Sequence, residues 1–449
     1  MRAITPTMTA ASVGVFGPQM RTTELRRGPV SDAAIKVSVD PKKTFQTIEG
    51  FGAAMTESAA ITIARLPEPQ QSKVLRELFD PDTGMGFSFI RVPLGSSDFA
   101  EGTYSYCDVK GPVGNELEHF SIDRDQRAVI PMLQRALAIN PNIKLMISPW
   151  APPEWMCARS AKDERILPKE NFALYADYLV KTLDAFAKLS PPILFEAMSC
   201  QNEPFFFTAN YPSLLLSADD QIELIKNHLG PKLRDYNRAH EGARPRVKLL
   251  THDHNWMLWE GAKKVLDGVG AFADGIAYHG YEGEPLDHQR HIAPKYPNLP
   301  VYYTEITGIY WDKTTAADDL MWDAKNVLVG ALKQGARACL KWNIVLDGKN
   351  GPLNGGVDFL KAFIRVVSPD KIEANQEHFG MGVASTTIKR GAVRIDTATS
   401  APLDCVAFQN PDGSRVLLTY NPTEQPLLVA LESGVQASLA PKSLVAIRW

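Results

Sequence analysis

Two glutamates at the ends of apolar segments are the side chains in this sequence best placed for acid–base or nucleophilic chemistry. Glu203 closes the stretch LFEAMSCQNEP (194–204), and Glu305 lies in VYYTEIT (301–307). Both stretches have the composition of buried strands, and an ionisable side chain is rarely placed beside a core without a partner or a task. Two carboxylates that flank one bond, one protonated and one ionised, are the apparatus of glycoside hydrolysis.

Each glutamate taken alone also has an ordinary explanation, because strand-end carboxylates often serve as ion-pair partners or helix caps. Three aromatic residues near other strand ends, Trp150, Tyr281 and Trp342, would suit stacking on the apolar faces of sugar rings, and each could equally be core. The combination of paired carboxylates with aromatic residues favours a sugar-cleaving site. A retaining enzyme would hold the two carboxylates about 5–5.5 Å apart.

Eight apolar segments bounded by turn or polar residues predict the strands that would carry these side chains. They cover residues 48–52, 87–95, 143–150, 194–204, 247–256, 275–281, 301–307 and 338–347. The intervening sequence has helical periodicity, most clearly over residues 124–139, 172–189 and 317–334. Alternating strands and helices predict an α/β fold, and a (β/α)8 TIM barrel of about 250 residues accommodates them.

A doubly wound open sheet is the competing α/β arrangement. Polar or aromatic residues end nearly every one of the eight segments, and this favours the barrel. Barrel active sites are assembled from strand ends all round one face, whereas an open sheet concentrates its site at one crevice. If Glu203 and Glu305 end the fourth and seventh strands of one barrel, we expect their carboxylates to meet over its mouth.

The pattern changes near the C-terminus, where short β-branched segments alternate with turn signals such as Asn410-Pro411-Asp412-Gly413. These segments predict an antiparallel β-sandwich side domain, and AAIKVSVD (33–40) is expected to add a strand to it. The predicted organisation has four regions. They are a flexible arm over residues 1–30, an N-terminal strand region over 31–46, the catalytic barrel over 47–372 and the side domain over 373–449.

Composition excludes several partners. The formal net charge is −3 and no dense Lys/Arg block is present, so neither a nucleic acid nor an anionic membrane surface is expected as a partner. No apolar segment is long enough to span a bilayer. The five cysteines are scattered without CxxC spacing, which indicates neither a disulfide framework nor a zinc site. The N-terminus is a poor secretory signal, so a cytoplasmic location is the default expectation, with signal-independent export left open.

Eight motifs, in order along the barrel, resemble glycoside hydrolase family 30, the glucosylceramidase-like family among the clan A retaining β-glycosidases. They are IEGFGAAMTESAA (48–60), FIRVPLGSSDFA (89–100), KLMISPWAPPEWM (144–156), SCQNEPFF (199–206), HDHNW (252–256), AYHGYEG (277–283), YYTEITG (302–308) and KWNIVLDGKNGP (341–352). The resemblance implies hydrolysis of β-linked glucosides through a covalent glycosyl-enzyme intermediate, without a cofactor or a metal. A β-glucoside, a β-glucan or a glycolipid would be the substrate, and the oligomeric state is not indicated.

The resemblance also implies roles for individual residues. Glu203 would be the general acid/base and Glu305 the nucleophile, with Arg91 beneath Glu305 to keep it ionised. Arg91 could equally be a structural ion pair of the barrel floor. The pocket for the sugar would be formed by Asp98, Trp150, Asn202, His254, His279, Tyr281, Trp342 and Asn343.

Within that pocket, Asn202 would bond the 2-hydroxyl of the sugar, Asp98 and Trp150 would hold its outer hydroxyls, and Tyr281 would donate to the nucleophile. Glucosylceramidase-like members usually carry a tryptophan where this chain has Gly280. We expect that difference to remove a wall and widen the pocket on the aglycone side, which bears on the choice of substrate.

Three other functions stay open at this point. The first is an endo-β-1,6-glucanase or related β-glycanase of the same family, and the second is a carbohydrate-binding protein without turnover. The third is a metal-dependent barrel hydrolase, because His252, His254 and His279 make a zinc site conceivable. His252 and His254 would share one face of a strand, with Asp253 facing away unless the strand has already ended there. The family resemblance explains these histidines as hydrogen-bonding pocket wall and needs no metal.

Overall fold

A closed barrel of eight parallel strands lies at the centre of the computed structural model, which describes residues 4–15, 17–310 and 314–449. The strands are Gly50–Ala54, Phe89–Leu94, Lys144–Pro149, Ala197–Ser199, Lys248–Asn255, Gly275–His279, Val301–Glu305 and Ala336–Asn343. Each strand pairs with the next in chain order, and the eighth pairs with the first. The predicted (β/α)8 fold is confirmed.

The interior of the barrel is packed with side chains. Large residues such as Phe89, Met146 and Tyr302 alternate around it with small ones such as Ala197 and Ala277, and all of them are buried. A barrel filled in this way is a core and not a channel. A ligand can therefore reach the strands only at their ends.

Helices cover the outside of the barrel, and those expected from periodicity are present. The helices are Glu57–Ala64, Glu68–Phe79, Val129–Ile139, Phe172–Ala187, Ala218–Glu223, Gly230–Ala239, Trp259–Val269, Pro285–His291, Ala316–Asp323, Ala331–Lys333 and Gln376–Thr387. Two π-helical segments, Leu224–Leu229 and Ala324–Gly330, join neighbouring helices into continuous rods. Short 3₁₀ turns lie at Asp123–Arg127, Glu154–Met156, Lys169–Asn171, Trp256–Leu258 and Gly270–Phe272. No helix of the described residues is long and apolar enough to cross a membrane.

The side domain is one antiparallel-rich sheet that draws strands from both ends of the chain. In sheet order its strands are Gly17–Glu24, Thr7–Gly14, Ser443–Arg448, Arg415–Asn421, Asp404–Gln409, Val393–Ala398, Ile35–Thr47, Leu427–Leu431 and Gln436–Leu439. Leu439 at one edge and Ile447 near the other share one apolar core, so the sheet folds over on itself. The expected pairing of the 33–40 segment is confirmed, with Val39 opposite Thr397 and Val37 opposite Leu431.

The prediction of a flexible arm over residues 1–30 is wrong for most of its described part. Thr7–Gly14 and Gly17–Glu24 form a hairpin whose first strand pairs with the C-terminal strand, Ala10 opposite Val445. Most hairpin side chains are half-buried or exposed, so the segment lacks the strict apolar alternation by which strands are detected. Residues 1–3 and 16 of the predicted arm lie outside the described residues.

A helix follows the predicted end of the barrel at residue 372, before the strands of the side domain. The helix Gln376–Thr387 packs against the first barrel strand and the helix Ala316–Asp323, and the strands of the side domain resume only at Val393. This helix is buried between the barrel and the sheet. It therefore lacks the single apolar stripe that reveals a surface helix in a sequence. Two small accessory sheets complete the fold, formed by Val345–Asp347, Ile364–Ser368 and Lys371–Ala374, and by Ala158–Arg159 and Arg165–Ile166.

Candidate active site

Glu203 and Glu305 share one cavity of about 580 Å³ at the C-terminal end of the barrel. One carboxylate oxygen of each glutamate and one ring nitrogen of His279 all lie within 4.8 Å of one another. Carboxylates of retaining glycosidases are about 5–5.5 Å apart, whereas those of inverting enzymes are about 6.5–9.5 Å apart to admit a water. The observed separation fits direct attack on the sugar by one carboxylate.

Glu305 is the last residue of the seventh strand, and it is held by two donors. The Arg91 guanidinium donates to one carboxylate oxygen, and the Tyr281 hydroxyl donates to the other at 3.0 Å. Arg91 is fully buried and also donates to Asn202 at 2.7 Å. Burial raises the pKa of Glu305 above its ordinary value, and the charges of His279 and Arg91 oppose that rise.

Glu203 lies four residues beyond the end of the fourth strand, which stops at Ser199 and is shorter than predicted. Its φ of +46° lies in the left-handed region, and its N–H donates to the carbonyl oxygen of Asp253 at 3.0 Å. Its Oε1 atom is 3.1 Å from Nδ1 of His279 and 3.7 Å from Nδ1 of His254. Burial raises the pKa of Glu203, but the hydrogen bond and charge of His279 outweigh burial and hold the pKa below its usual value.

His279 links the two sides of the site. Its Nδ1 atom faces Glu203 and is 3.9 Å from Glu305, while its Nε2 atom is 3.1 Å from Oδ1 of Asp253. Burial alone would lower the pKa of His279, but the surrounding carboxylates outweigh burial and raise it to about 9. The ring is therefore an imidazolium near neutral pH.

Asp253 is a member of the site that the sequence did not reveal. It was expected to face away, yet its carboxylate is fully buried and accepts hydrogen bonds from Arg91, Ser148, Ser199 and Thr304. A bulge in the fifth strand reverses the alternation at this point, with φ of +77° at His252 and +49° at Asp253. The available signal was an acidic residue inside an apolar strand, which needs buried partners.

The three histidines do not form a metal site of the kind considered from the sequence. Nε2 of His252 lies 3.0 Å from the carbonyl oxygen of Asn255, and its ring packs edge-on against Tyr278. Among the described residues, the cluster close enough to share an ion is Glu203, His279 and Glu305. The geometry therefore does not support a zinc site formed by the three histidines.

The remaining predicted residues divide into those that line the cavity and those behind it. Asp98, His254, Tyr281 and Trp342 line it. Asp98 is half-buried and its Oδ1 atom is buried without a hydrogen-bond partner, and burial together with the charge of Glu305 raises its pKa well above the ordinary value.

Trp150 and Asn343 are not among the described residues that line the cavity. The Trp150 indole stacks on Trp342 with ring centroids 5.0 Å apart, and the Arg91 guanidinium lies over its face. Asn343 was expected to line the pocket, but it is 1% exposed and accepts a hydrogen bond from Thr56 at 2.8 Å. Of these two neighbours on the eighth strand, Trp342 lines the cavity and Asn343 does not.

Gly280 does not widen the pocket as expected. A Cβ atom at this position would lie 1.6 Å from the hydroxyl of Tyr303, a buried residue packed against Trp256. A side chain at 280 would therefore point into the packing behind the strand and not into the cavity. Glycine is required here by the close approach of Tyr303.

Two family models match the chain over both domains. The glycosyl hydrolase family 30 TIM-barrel domain matches residues 48–373, and the family 30 beta sandwich domain matches residues 391–447. The chain belongs to glycosyl hydrolase family 30. This family 30 member is a glycoside hydrolase, and the resemblance inferred from its motifs is confirmed.

This family 30 chain is similar to relatives of two kinds, named for different substrates, over most of their length. Mouse lysosomal acid glucosylceramidase is 29% identical over 94% of this chain and 86% of its own length. Endo-1,6-β-D-glucanase from Neurospora crassa is 28% identical over 90% of this chain and 85% of its own. The solved structure of an endo-β1,6-glucanase has a TM-score of 0.88 at 26% identity, and the match covers 99% of this chain and all of that one.

Proposed function

We propose that this glycoside hydrolase cleaves β-linked glucosides with retention of configuration, by double displacement. The observation that carries the proposal is the separation of the Glu203 and Glu305 carboxylates, which are within 4.8 Å at their nearest oxygens and flank one cavity. This spacing is nearer to the 5–5.5 Å of retaining enzymes than to the 6.5–9.5 Å by which inverting enzymes admit a water.

Glu305 is the nucleophile of the proposed mechanism. Its carboxylate attacks the anomeric carbon while Glu203 protonates the departing oxygen, which gives a covalent glycosyl-enzyme and a free aglycone. Glu203, now ionised, takes a proton from a water that attacks the same carbon, and the sugar leaves with its original β-configuration. Arg91 and Tyr281 donate to Glu305 and orient it for attack.

Other side chains are positioned to hold the sugar. Arg91 occupies the amide oxygen of Asn202, which leaves the amide nitrogen as a donor for the 2-hydroxyl. Asp98 and Trp342 line the cavity, where a carboxylate suits an outer hydroxyl and an indole suits the apolar face of a sugar ring.

The aglycone identity distinguishes two candidate substrates. Phe205, Phe206, Val357 and Leu360 on the cavity wall are apolar surface suited to the hydrocarbon part of an alkyl, aryl or glycolipid aglycone. An endo-β-1,6-glucanase is the second candidate, favoured by the similarity over essentially the full chain to a solved enzyme of that name.

Product analysis with three substrates tests the proposal. We expect proton NMR during hydrolysis of a nitrophenyl β-glucoside to show the β-anomer of glucose before mutarotation, and initial α-anomer would contradict retention. Comparing kcat/KM for glucosylceramide and β-1,6-glucan decides between the two candidates. Sugar binding without release from any of these substrates would favour the non-catalytic alternative. Activity abolished by a chelator and restored by zinc would favour metal-dependent hydrolysis.

A further inference from the structure

The surroundings of Glu203, the acid/base residue of the proposed mechanism, oppose the donation of its proton to the leaving oxygen. Glu203 must deliver a proton to the leaving oxygen, yet the imidazolium of His279 holds the pKa of Glu203 below its ordinary value. Nδ1 of His279 is 3.1 Å from the Glu203 carboxylate, and this hydrogen bond contains a proton that either group can carry. His279 can therefore carry the catalytic proton as well as Glu203.

We propose that Glu203 and His279 hold the catalytic proton jointly, and that Asp253 is the positioning residue that fixes His279 in the form able to pass it. This inference rests on the proposed function of Glu203 as acid/base. Asp253 makes no contact with the cavity, and its influence on the reaction passes through the imidazole ring, through the backbone of Glu203 and through its ion pair with Arg91.

Asp253 determines which ring nitrogen can release a proton. Its Oδ1 atom faces Nε2 of His279 and also accepts from Thr304, while its Oδ2 atom accepts from Arg91, Ser148 and Ser199. Burial would raise the pKa of Asp253, but these donors hold it well below its usual range, so the carboxylate stays ionised. Nε2 therefore keeps its hydrogen, and the mobile proton is the one on Nδ1.

The charges around the ring favour the protonated state of the pair. The titratable and charged side chains that face His279 are Glu203, Asp253, Glu305, Arg91, His254 and Tyr281. Burial lowers the pKa of His254 to about 4, and burial raises that of Tyr281 well above its ordinary value, so both are neutral. Outside the pair, the carboxylates of Asp253 and Glu305 thus oppose one guanidinium, and the pair keeps its proton at a pH where an isolated glutamate would have lost it.

The proton balance of the reaction follows from this arrangement. Transfer from Nδ1 to the Glu203 carboxylate leaves a neutral imidazole and a carboxylic acid, which protonates the glycosidic oxygen as its bond to the anomeric carbon breaks. Formation of the ester removes the negative charge of Glu305, and the ring becomes less basic. Glu203 then takes a proton from the attacking water, and that proton returns to the hydrogen bond with His279.

The backbone around Asp253 supports the same assignment. Its carbonyl oxygen accepts the N–H of Glu203, so one residue holds both the acid/base and the ring that shares its proton. His252, Asp253 and Glu203 all have left-handed φ values, and none of the three is a glycine. Such conformations persist where surrounding contacts impose them, and they cluster at active sites.

The pH dependence of kcat/KM with two leaving groups tests the proposal. Phenyl β-glucoside needs protonation of its leaving oxygen, whereas a dinitrophenyl β-glucoside needs little. For the phenyl substrate we expect Asp253→Asn and His279→Gln each to move the alkaline limb to lower pH by about one unit or more. For the dinitrophenyl substrate the alkaline limb should move much less. Glu49→Gln removes a buried carboxylate that is paired with Lys144 and Lys248 at the other end of the barrel, and it should leave both limbs in place.

The proposal of a shared proton would be overturned if the alkaline limb of the kcat/KM profile stays in place in His279→Gln. It would also be overturned if that limb moves equally with both substrates. His279→Gln carries the test by itself if Asp253→Asn fails to fold, as circular dichroism and thermal melting would show. Wild-type protein that hydrolyses neither glucoside would instead overturn the proposed function. Retaining hydrolysis with an unmoved limb overturns only the inference about His279 and Asp253.

Discussion

The two ends of the barrel both contain buried charges, arranged in opposite ways. At the N-terminal end, Glu49 accepts hydrogen bonds at 2.8 Å from Lys144 and Lys248 and at 2.9 Å from the Tyr302 hydroxyl. Burial raises the pKa of Glu49, but the two lysines outweigh burial and lower it to about 2. Every charge in this cluster has a partner of opposite sign.

At the C-terminal end, acids outnumber bases. Glu203, Glu305 and Asp253 surround Arg91 and His279, and burial together with the charge of Glu305 raises the pKa of Asp98 well above its ordinary value. The carboxylates of Glu203 and Glu305 open onto a cavity, and their pKa values are shifted in opposite directions. Buried charges that are paired with charges of opposite sign stabilise the barrel. An excess of buried carboxylates beside a cavity instead prepares those groups to exchange protons and form bonds.

Removing a carboxylate should lower activity strongly at the C-terminal end of the barrel and hardly at all at the N-terminal end. Glu305→Gln should lower kcat/KM for the dinitrophenyl β-glucoside by about 1000-fold or more, which is about 4 kcal/mol of lost transition-state stabilisation, because no nucleophile remains. The matched variant Glu49→Gln makes the same chemical change at the opposite end and should leave kcat/KM nearly unchanged. Equal losses of activity in the two variants would contradict a catalytic role for the C-terminal end and a structural role for the N-terminal end.

A second variant distinguishes the two glutamates of the C-terminal end. Glu203→Gln should reduce turnover of phenyl β-glucoside by about 100-fold or more, and it should reduce glycosylation by the dinitrophenyl substrate much less. Added azide should restore turnover and yield a β-glycosyl azide, because a small anion needs no general base. An α-azide, or equal losses with the two leaving groups, would contradict the acid/base role.

The N-terminal end should show its contribution in stability. Because the pKa of Glu49 is lowered from 4.5 to about 2, its stabilisation is present above pH 4.5 and is lost as the pH falls through about 2. At neutral pH we expect Glu49→Gln to cost about 2–3 kcal/mol. The melting-temperature difference from wild type should shrink as the pH is lowered across that window. A difference that is independent of pH would show that the Glu49 charge contributes no stability.

The smallest expected effect concerns a single hydrogen bond in the site. Tyr281→Phe removes the hydroxyl that donates to Glu305 at 3.0 Å and leaves the ring in place. Loss of one hydrogen bond to a charged group should lower kcat/KM by about 10-fold. The melting temperature should stay near that of wild type. Unchanged kinetics would show that Arg91 alone orients the nucleophile.

The sequence predicted the barrel and its two glutamates because these features are local. Apolar runs mark each strand, and Glu203 and Glu305 follow two of those runs directly. The (β/α)8 fold then brings strand ends together on one face, so their meeting followed from topology alone.

Features that depend on backbone irregularity were not predictable in this way. A bulge turned Asp253 inward, and no residue pattern marks a bulge that is built without glycine. The close approach of Tyr303 to Gly280 depends on packing between strands that are separate in sequence. The N-terminal hairpin is held by ladder pairing with the C-terminal strand, which leaves no apolar periodicity to detect.

The most direct test of the account is to identify the residue that carries the sugar in the covalent intermediate. Glu203→Gln should accumulate the glycosyl-enzyme with the dinitrophenyl β-glucoside, because its hydrolysis lacks a general base. Acid quenching, proteolysis and tandem mass spectrometry then locate the ester. The account predicts one glucosyl adduct, on Glu305. An adduct on a different residue, or steady turnover by Glu305→Gln, would contradict it.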